Sequence, residues 1–479
     1  MASNMTTTAQ QRYTKQRINH WNHVARKMDH WSGMGGYYLQ RLQEIYRFVV
    51  PEGSRVLEVG CGYGDLLASL KPDFGVGIDF SSETIHRASL RHPGLHFIRT
   101  DAHALPFRKD FDFIILSDVV NDLWDVQAVF KEIFQIASGR TRLVMNTYSR
   151  LWEFPLWLAK KMNLAKPALF QNWLTVEDIA GLLRVSGFEM IRNWDEVLWP
   201  IATPLLSSLL NRYAAKMWPG QIFDLTHFIV ARPVKVAFGG NGTVSVVVPA
   251  RNEAGNVENI FRRVPDIGKM TELVFVEGHS SDGTYEAIEK AIGNHPERRC
   301  KLMRQTGSGK GDAVRMGFDH ASGDVLMILD ADLTVPPEDL PRFYDLLSEG
   351  KGEFVNGVRL IYPMEKEAMR FFNLVGNKFF SLAFSWLLGQ PIKDTLCGTK
   401  VLWKVDYEKI KANRSYFGDF DPFGDFDLLF GAAKLNLKIV EMPIRYRERE
   451  YGSTNISRWR HGWLLLRMVA FATRRMKFI

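Results

Sequence analysis

Short apolar runs of strand length alternate with helix-like stretches along this chain, and the series begins twice. The first starts with RVLEVG (Arg55 to Gly60), continues through GVGID and FDFIILSD, and closes with HFIVARP ending at Pro233. The second starts with SVVVPARNE at Ser245. Such alternation predicts an α/β chain with parallel sheets covered by helices on both faces, since each strand run must bury its apolar side chains against a neighbouring layer. Two starts predict two domains. The stretch VKVAFGGNGT between them holds Gly239, Gly240, Asn241 and Gly242, a flexible joint, so the domains are expected at 1–238 and 243–479. Size agrees, because 479 residues are more than one hydrophobic core usually serves.

Composition narrows the class. Hydrophobic residues make up 46% and aromatic residues 12% of the chain, enough apolar surface to exclude disorder as the main state. Three cysteines, Cys61, Cys300 and Cys397, are too few and too scattered for a disulfide framework or a zinc site. The start MASNMTTTAQQRYTKQR lacks the apolar core of a secretory signal, and the longest apolar candidate, Phe379 to Leu388, is about half a membrane span. The chain is therefore expected in the cytoplasm or at the inner face of the plasma membrane. Its net charge of +8 is uneven: Pro443 to Ile479 carries nine basic residues against Glu448 and Glu450. That terminus expects an anionic neighbour, either a pyrophosphate or an anionic membrane face. Nucleic acid is set aside, since the basic excess is terminal and no recognised binding module accompanies it.

The first series carries a nucleotide-type grip. The strand Arg55 to Val59 runs into Gly60-Cys61-Gly62-Tyr63-Gly64-Asp65, with Glu58 just before and a helical stretch just after. Glycines at such a turn let the backbone approach a ligand, and the helix start offers unpaired amides. A dinucleotide turn wants glycine where Asp65 stands, so the spacing here is E-x-G-x-G-x-G. That pattern resembles motif I of the class I S-adenosylmethionine-dependent methyltransferases. The resemblance implies S-adenosyl-L-methionine as cofactor, held by Glu58, Gly60, Gly62 and Gly64, with Asp79 on the ribose hydroxyls. It further implies Asp101 and Ala102 at the adenine, and Ser117 and Asp118 beside the methionine end. A hydroxyl acceptor would also need a base. The segment ahead of motif I supplies His20, His23, His30, Tyr37 and Tyr38, of which His23 and Tyr38 are the expected site-lining, catalytic candidates. The aromatic stretches Leu151 to Phe170 and Trp199 to Trp218 are expected to cap the acceptor pocket or to pack on the second domain.

The second series opens VSVVVPARNE and continues ELVFVEGHSSDGT, an order that resembles the inverting family 2 glycosyltransferases of GT-A type. The expected architecture is thus two Rossmann-like domains, a class I methyltransferase fold followed by a GT-A fold. The resemblance implies a nucleotide-sugar donor bound by Pro249, Ala250, Arg251, Glu253, Glu277, Asp282, Lys310 and Asp330. One departure is plain: the family usually has two aspartates where Glu277-Gly278 stand. Asp330-Ala331-Asp332 is a D-x-D at a strand end, and hard oxygen ligands there suit Mg2+ or Mn2+ bridging a diphosphate, which makes Asp330 and Asp332 the metal candidates. GKG followed by DADLTVPPEDL is the version seen in dolichol-phosphate and other polyprenyl-phosphate sugar transferases.

Downstream, KDTLCGTK resembles that group's acceptor-side loop, carrying Asp394, Gly398, Thr399 and a Cys397 read as structural. FDPFGDFDLLFGAAKLN holds Asp425 and Asp427 two apart and resembles that group's E-D-x-D/E-L segment at a helix head, which implies Asp425 as the base for a hydroxyl acceptor and Asp427 as second choice, with helix capping as the competing reading; a phosphate acceptor is already ionised and needs no base. Arg447, Arg449 and Arg458 are candidate clamps on the diphosphate, against a solvated basic face. Two aromatic, cation-flanked stretches, MRFFNLVGNKFFSLAFSWLLG and GWLLLRMVAFATRRMKFI, suit lying in a headgroup region. The expected whole is a bifunctional enzyme. It would pass a sugar from a nucleotide sugar to polyprenyl phosphate, and a methyl group to the sugar, its carrier or a connected glycan. The rivals are a soluble glycan, protein or small-molecule acceptor, and a first domain that is only a binding or scaffold module. Oligomeric state is not readable.

Overall fold

The computed structural model describes residues 2–27, 36–108, 111–162, 165, 168–235, 242–359, 361, 371–416, 424–447, 449, 451 and 458–478. The chain forms two compact units, Met1–Lys235 with Lys477–Ile479, and Val236–Met476. The expected joint residues Gly239, Gly240 and Asn241, and His30, lie outside the described residues.

The first unit is built on a seven-stranded sheet: β1 (Arg55–Val59), β2 (Phe74–Asp79), β3 (His96–Arg99), β4 (Phe113–Ser117), β5 (Arg142–Tyr148), β6 (Phe188–Glu196) and β7 (Thr226–Pro233), in the order β3-β2-β1-β4-β5-β7-β6. Successive side chains of a strand face opposite ways, so the apolar runs feed two cores. Leu57, Val59, Ile114 and Leu116 belong to one cluster, Val56, Phe113 and Ile115 to the other. The helix Val126–Ile136 closes the first with Val129, Phe130 and Ile133, and starts where the Asp125 carboxylate accepts from Ala128 N at 2.9 Å. The helix Gly36–Val49 closes the second with Leu42, Ile45, Tyr46 and Val49.

The second unit repeats the plan with β8 (Val244–Ala250), β9 (Thr271–Glu277), β10 (Arg299–Arg304), β11 (Val325–Ile328), β12 (Phe354–Val358), β13 (Lys400–Trp403) and β14 (Ile439–Pro443), ordered β10-β9-β8-β11-β13-β12-β14. The helix Lys310–His320 lies close on β8 because Gly317 faces it; a Cβ there would strike Val247.

Both sheets are mixed rather than wholly parallel. β7 runs antiparallel to β5 and β6, and β13 antiparallel to β11 and β12. The alternation of apolar and polar residues is the same whichever way a strand runs, so direction is not written in that pattern. The central strands keep the parallel arrangement. β1 lies between β2 and β4, and β8 between β9 and β11, so in each sheet the strand order reverses at these neighbours and leaves a crevice beyond their carboxyl ends.

Candidate active sites

In the first unit, β1 leaves the sheet through three left-handed glycines, Gly60 (φ +75°), Gly62 (φ +51°) and Gly64 (φ +75°). Gly60 N and Cys61 N both donate to Ile78 O, at 2.8 and 2.9 Å, which pins the turn to β2. A Cβ on Gly60 would lie 2.6 Å from Val119 Cγ2, while one on Gly62 would meet nothing within 4 Å. The turn is therefore packed from behind and open in front. Asp79, at the end of β2, accepts from Gly62 N at 3.2 Å and from Ser81 N at 2.8 Å. Glu58 is buried and accepts from Leu67 N at 3.1 Å; burial pushes its carboxyl up to about 8, against that hydrogen bond, and Asp65 and Asp79 add to the rise. Glu58 is thus a neutral brace beneath the turn.

Asp101 follows β3 and accepts from His103 Nδ1 at 2.6 Å and from His103 N at 3.0 Å; the bond to the His103 ring holds its carboxyl below the usual range, with burial opposing. Asp125 N donates to His103 Nε2 at 3.2 Å, so the neutral ring with its proton on Nδ1 satisfies both contacts. A cleft joins these parts, lined by Asp79, Ala102, Asp122 and Trp124 and, from the helix Ala2–Lys27, by Tyr13 and Arg17. Tyr13 OH donates to Asp122 O at 3.2 Å, its ring packs edge-on against Trp124, and Arg17 lies over that ring at 3.6 Å. Further along the same helix Asn22 Oδ1 accepts from Ser81 Oγ at 2.6 Å.

Neither of the two catalytic candidates in this unit, Tyr38 and His23, lines the cleft. Tyr38 is buried and donates to Asp118 Oδ1 at 2.8 Å; Asn146 Nδ2 donates to the same oxygen at 2.5 Å, and Tyr46 OH to Asn146 Oδ1 at 2.8 Å. Burial first, then the Asp118 carboxylate, raise the Tyr38 phenol well above its ordinary range, so Tyr38 is a fixed donor and not a base. Asp118 holds a left-handed backbone (φ +54°) directly after Ser117, the last residue of β4. His23 is exposed and does not line the cleft; the residues of its helix that do are Tyr13, Thr14 and Arg17. These three cleft residues are not among those expected from sequence. The signal was the four-residue spacing of Tyr13 and Arg17, which puts them on one helical face.

In the second unit the carboxyl ends of β8 and β9 form a polar wall. Gly278 N donates to Ala250 O at 2.9 Å, and Glu277, buried, accepts from Ser280 N at 2.5 Å. Asp282 accepts from Ala254 N at 3.2 Å and from Thr284 N at 3.1 Å. Glu253 accepts from Asn256 Nδ2 at 2.7 Å, and its burial raises the carboxyl despite Asn256 and Arg449. Pro249 is half-buried and Arg251 exposed at the lip.

Beyond β11 the D-x-D carboxylates each hold a side-chain cation. Lys310 Nζ lies 2.6 Å from Asp330 Oδ1; Arg449 Nη2 lies 2.6 Å from Asp332 Oδ2, with its Nη1 3.5 Å from Glu253 Oε1. Burial raises the Asp330 carboxyl, but Lys310, with the charges of Lys400 and Arg359, makes the net displacement downward. Asp332 also accepts from Thr334 Oγ1 at 2.8 Å. Gly398 completes the cradle, because a Cβ on it would strike both Asp330 and Lys310. Its loop is anchored by Asp394, which takes Arg359 in a two-pronged pair at 2.7 and 2.9 Å. Cys397 is fully buried, and burial pushes its thiol up to about 12, as an inert packing residue requires.

The remaining candidates separate. Asp425 starts the helix Asp425–Lys434, but its side chain lies outside the described residues, as does that of Arg458. Asp427 is buried and paired with Arg414 Nε at 2.8 Å, so its carboxylate is engaged. Arg447 is exposed, and its backbone N donates to Thr334 O at 2.9 Å.

Among the described residues no group of three or more His, Cys, Asp or Glu stands ready for a metal ion. The donor set nonetheless fits Mg2+ or Mn2+ in part: two carboxylates at one strand end already collect two positive charges, and a divalent ion with diphosphate and water oxygens could replace those charges. S-adenosyl-L-methionine fits the first unit on the open space before Gly62 and the Asp79 carboxylate beside it.

A family model described as Glycosyl transferase family 2 matches residues 245–402, and one described as Methyltransferase domain matches residues 30–193. The glycosyltransferase AglJ of Haloferax volcanii is 31% identical over 224 residues, covering 46% of this chain and 69% of the relative. The dolichol-phosphate mannosyltransferase of Pyrococcus furiosus is 30% identical over 219 residues, 44% of this chain and 59% of the relative. Among solved structures, magnesium protoporphyrin IX methyltransferase from Synechocystis, with bound SAH, is 17% identical, covers 48% of this chain and 99% of its own, and has a TM-score of 0.33. A likeness at that score bears on neither acceptor nor mechanism.

Proposed function

Because the chain belongs to glycosyl transferase family 2 and carries a methyltransferase domain ahead of that half, we propose that it is a bifunctional enzyme acting on a lipid-linked sugar. The second unit moves a sugar from a nucleoside diphosphate to polyprenyl phosphate with inversion. The first methylates that sugar, its carrier or a connected glycan, using S-adenosyl-L-methionine. The observation that carries the reading is the cation held on each D-x-D carboxylate at the switch point of the second sheet. Lys310 and Arg449 are placed to exchange a carboxylate for diphosphate oxygens when the donor arrives. The name of one relative, a dolichol-phosphate mannosyltransferase, supports the acceptor class.

In the transfer the bond from the sugar's anomeric carbon to the diphosphate breaks as an acceptor oxygen bonds from the opposite face. A bound Mg2+ or Mn2+ would stabilise the charge gathering on the departing diphosphate. Lys310 and Arg449 add to that stabilisation from fixed backbone positions. A polyprenyl phosphate oxygen is already ionised and needs no base, in keeping with an Asp427 committed to Arg414. In the first unit the cofactor supplies an electrophilic methyl group, and the chain positions it: the Gly60–Gly64 turn and Asp79 take the nucleoside, Asp101 and Ala102 the base. Ser117 and Asp118, the latter held by Tyr38 and Asn146, would stand beside its methionine end.

A polyprenyl phosphate acceptor implies that the enzyme works at the cytoplasmic face of a membrane. No helix among the described residues is long and apolar enough to cross one. The helices Phe371–Leu388 and Arg458–Ala472 expose Phe379, Leu382 and Trp463, which suits a peripheral contact. The test incubates the full chain with a panel of labelled nucleoside-diphosphate sugars, Mn2+ and short-chain polyprenyl phosphate in detergent. Label should enter the organic phase, and that product should gain a methyl group when S-adenosyl-L-methionine is added. Label passing only to water-soluble products would refute the lipid acceptor.

A further inference from the structure

Beyond β14 the chain returns to the second site with two side chains. Arg449 reaches Asp332 and Glu253, and Tyr451 OH donates to Asp282 Oδ2 at 3.3 Å. The same oxygen accepts from Ala254 N at 3.2 Å, so the phenol and the loop after β8 are pinned to one carboxylate. The Tyr451 ring meets the backbone of that loop at Gly255. A Cβ added to Gly255 would lie 2.6 Å from Cδ2 of the ring, 2.9 Å from Cε2 and 3.0 Å from Cγ. Both neighbours of Cδ2 are nearly as close as Cδ2 itself, which describes an approach perpendicular to the ring and not one in its plane. The ring therefore lays one face on Gly255, and only glycine leaves room for it. Tyr451 is still 39% exposed, so the ring keeps surface for a ligand.

We propose that Tyr451 is a nucleoside-binding residue whose ring stacks on the base of the sugar nucleotide. The inference rests on the donor chemistry proposed above and deepens it. The order of contacts along the chain matches the order of groups along such a donor. Arg449 stands at Asp332, the end given to the metal and diphosphate, and Tyr451 stands at Asp282 and the Glu253 loop, the wall given to the nucleoside. A planar ring backed by peptide and tethered through its hydroxyl is already ordered, so it loses little freedom when a base lies on it. Stacking of this kind accepts any base, since each has a π face.

The test titrates the full chain, with Mn2+ present, against UDP, GDP, CDP, dTDP and inorganic pyrophosphate. Tyr451→Ala should weaken the nucleotide that the parent binds by about tenfold or more and leave pyrophosphate within about twofold. Tyr451→Phe keeps the ring and should stay within about threefold of the parent. Gly255→Ala, whose Cβ lifts the ring from its backing, should weaken the nucleotide at least about threefold and again spare pyrophosphate. Thermal unfolding checks that each variant folds. Three results would overturn the assignment: equal nucleotide affinity in Tyr451→Ala, an equal loss for pyrophosphate, which would make the ring a support for Arg449, or tighter nucleotide binding, which would make it a plug. A parent that binds none of the nucleotides would remove the donor reading itself, and this assignment with it.

Discussion

At the end of β2 the Asp79 carboxylate is met by the backbone N–H groups of Gly62 and Ser81, whereas beyond β11 Asp330 and Asp332 are each met by a full side-chain cation. The two crevices share a topological position and differ in how they store readiness. The first is a backbone cradle, packed behind Gly60 and open before Gly62, to which a ligand simply adds. In the second, partners must be exchanged. A half-buried carboxylate left without a counter-charge costs several kcal/mol, so Lys310 and Arg449 stabilise the empty site with the groups that later serve the ligand. On the proposed function, one chain uses shape where the ligand is a sulfonium nucleoside, and charge exchange where it is a diphosphate.

The sharpest break between the two would come from Asp332→Asn. Donor binding in the presence of Mn2+ should fall more than ~100-fold, about 2.7 kcal/mol, while calorimetric titration with S-adenosyl-L-methionine stays within about twofold of the parent. Loss of both affinities would mean the sites are not independent.

Next in size are two glycine changes in the first turn. Gly60→Ala should cost about 2–3 kcal/mol of stability, since the new Cβ meets Val119 in a left-handed backbone. Gly62→Ala, with nothing within 4 Å, should cost only about 1 kcal/mol by thermal unfolding yet weaken cofactor binding at least about tenfold. Unaltered affinity in Gly62→Ala would remove the backbone cradle from the comparison.

Arg449→Gln tests the exchange. With Asp332 and Glu253 released, Mn2+ alone should bind about tenfold tighter by paramagnetic titration, and the nucleotide sugar more weakly. Equal Mn2+ affinity would show that Arg449 does not guard the carboxylate.

The smallest effect concerns Glu58. A carboxyl raised to about 8 holds a proton in the folded chain that the unfolded chain releases above about pH 4.5. Its contribution is therefore full below that value, declines as pH rises and is lost by about pH 8. Glu58→Gln keeps an acceptor for Leu67 N and should flatten the pH dependence of unfolding by about 1 kcal/mol between about pH 6 and 7.

The strand-end positions of several candidate residues were legible in the sequence. Asp79, Ser117, Glu277 and Asp330 were recognisable as strand-end residues because an apolar run stops where the chain leaves the sheet. The glycine turn was legible because only glycine settles easily at positive φ. What escaped was pairing across the chain. Tyr38 was chosen as a site residue, but its role as a protonated donor depends on burial and on Asp118, 80 positions away. His23 was chosen from residue type alone, and the turn of its helix leaves it in solvent. Asp427 was the second choice of base by family resemblance, and its pairing with Arg414, 13 positions away, is a contact that resemblance did not show.

The order of elements, the division into two sheet-forming halves and the residues presented at strand ends follow from sequence alone, because each depends on periodicity and backbone preference within a few positions. The direction of β7 and β13 was decided only in three dimensions, since alternation reads the same both ways. So was the meeting of Arg449 with Asp332, 117 residues apart. So was the exposure of Phe154, Trp157 and Leu158 on the helix Glu153–Lys161, which residue type alone does not settle.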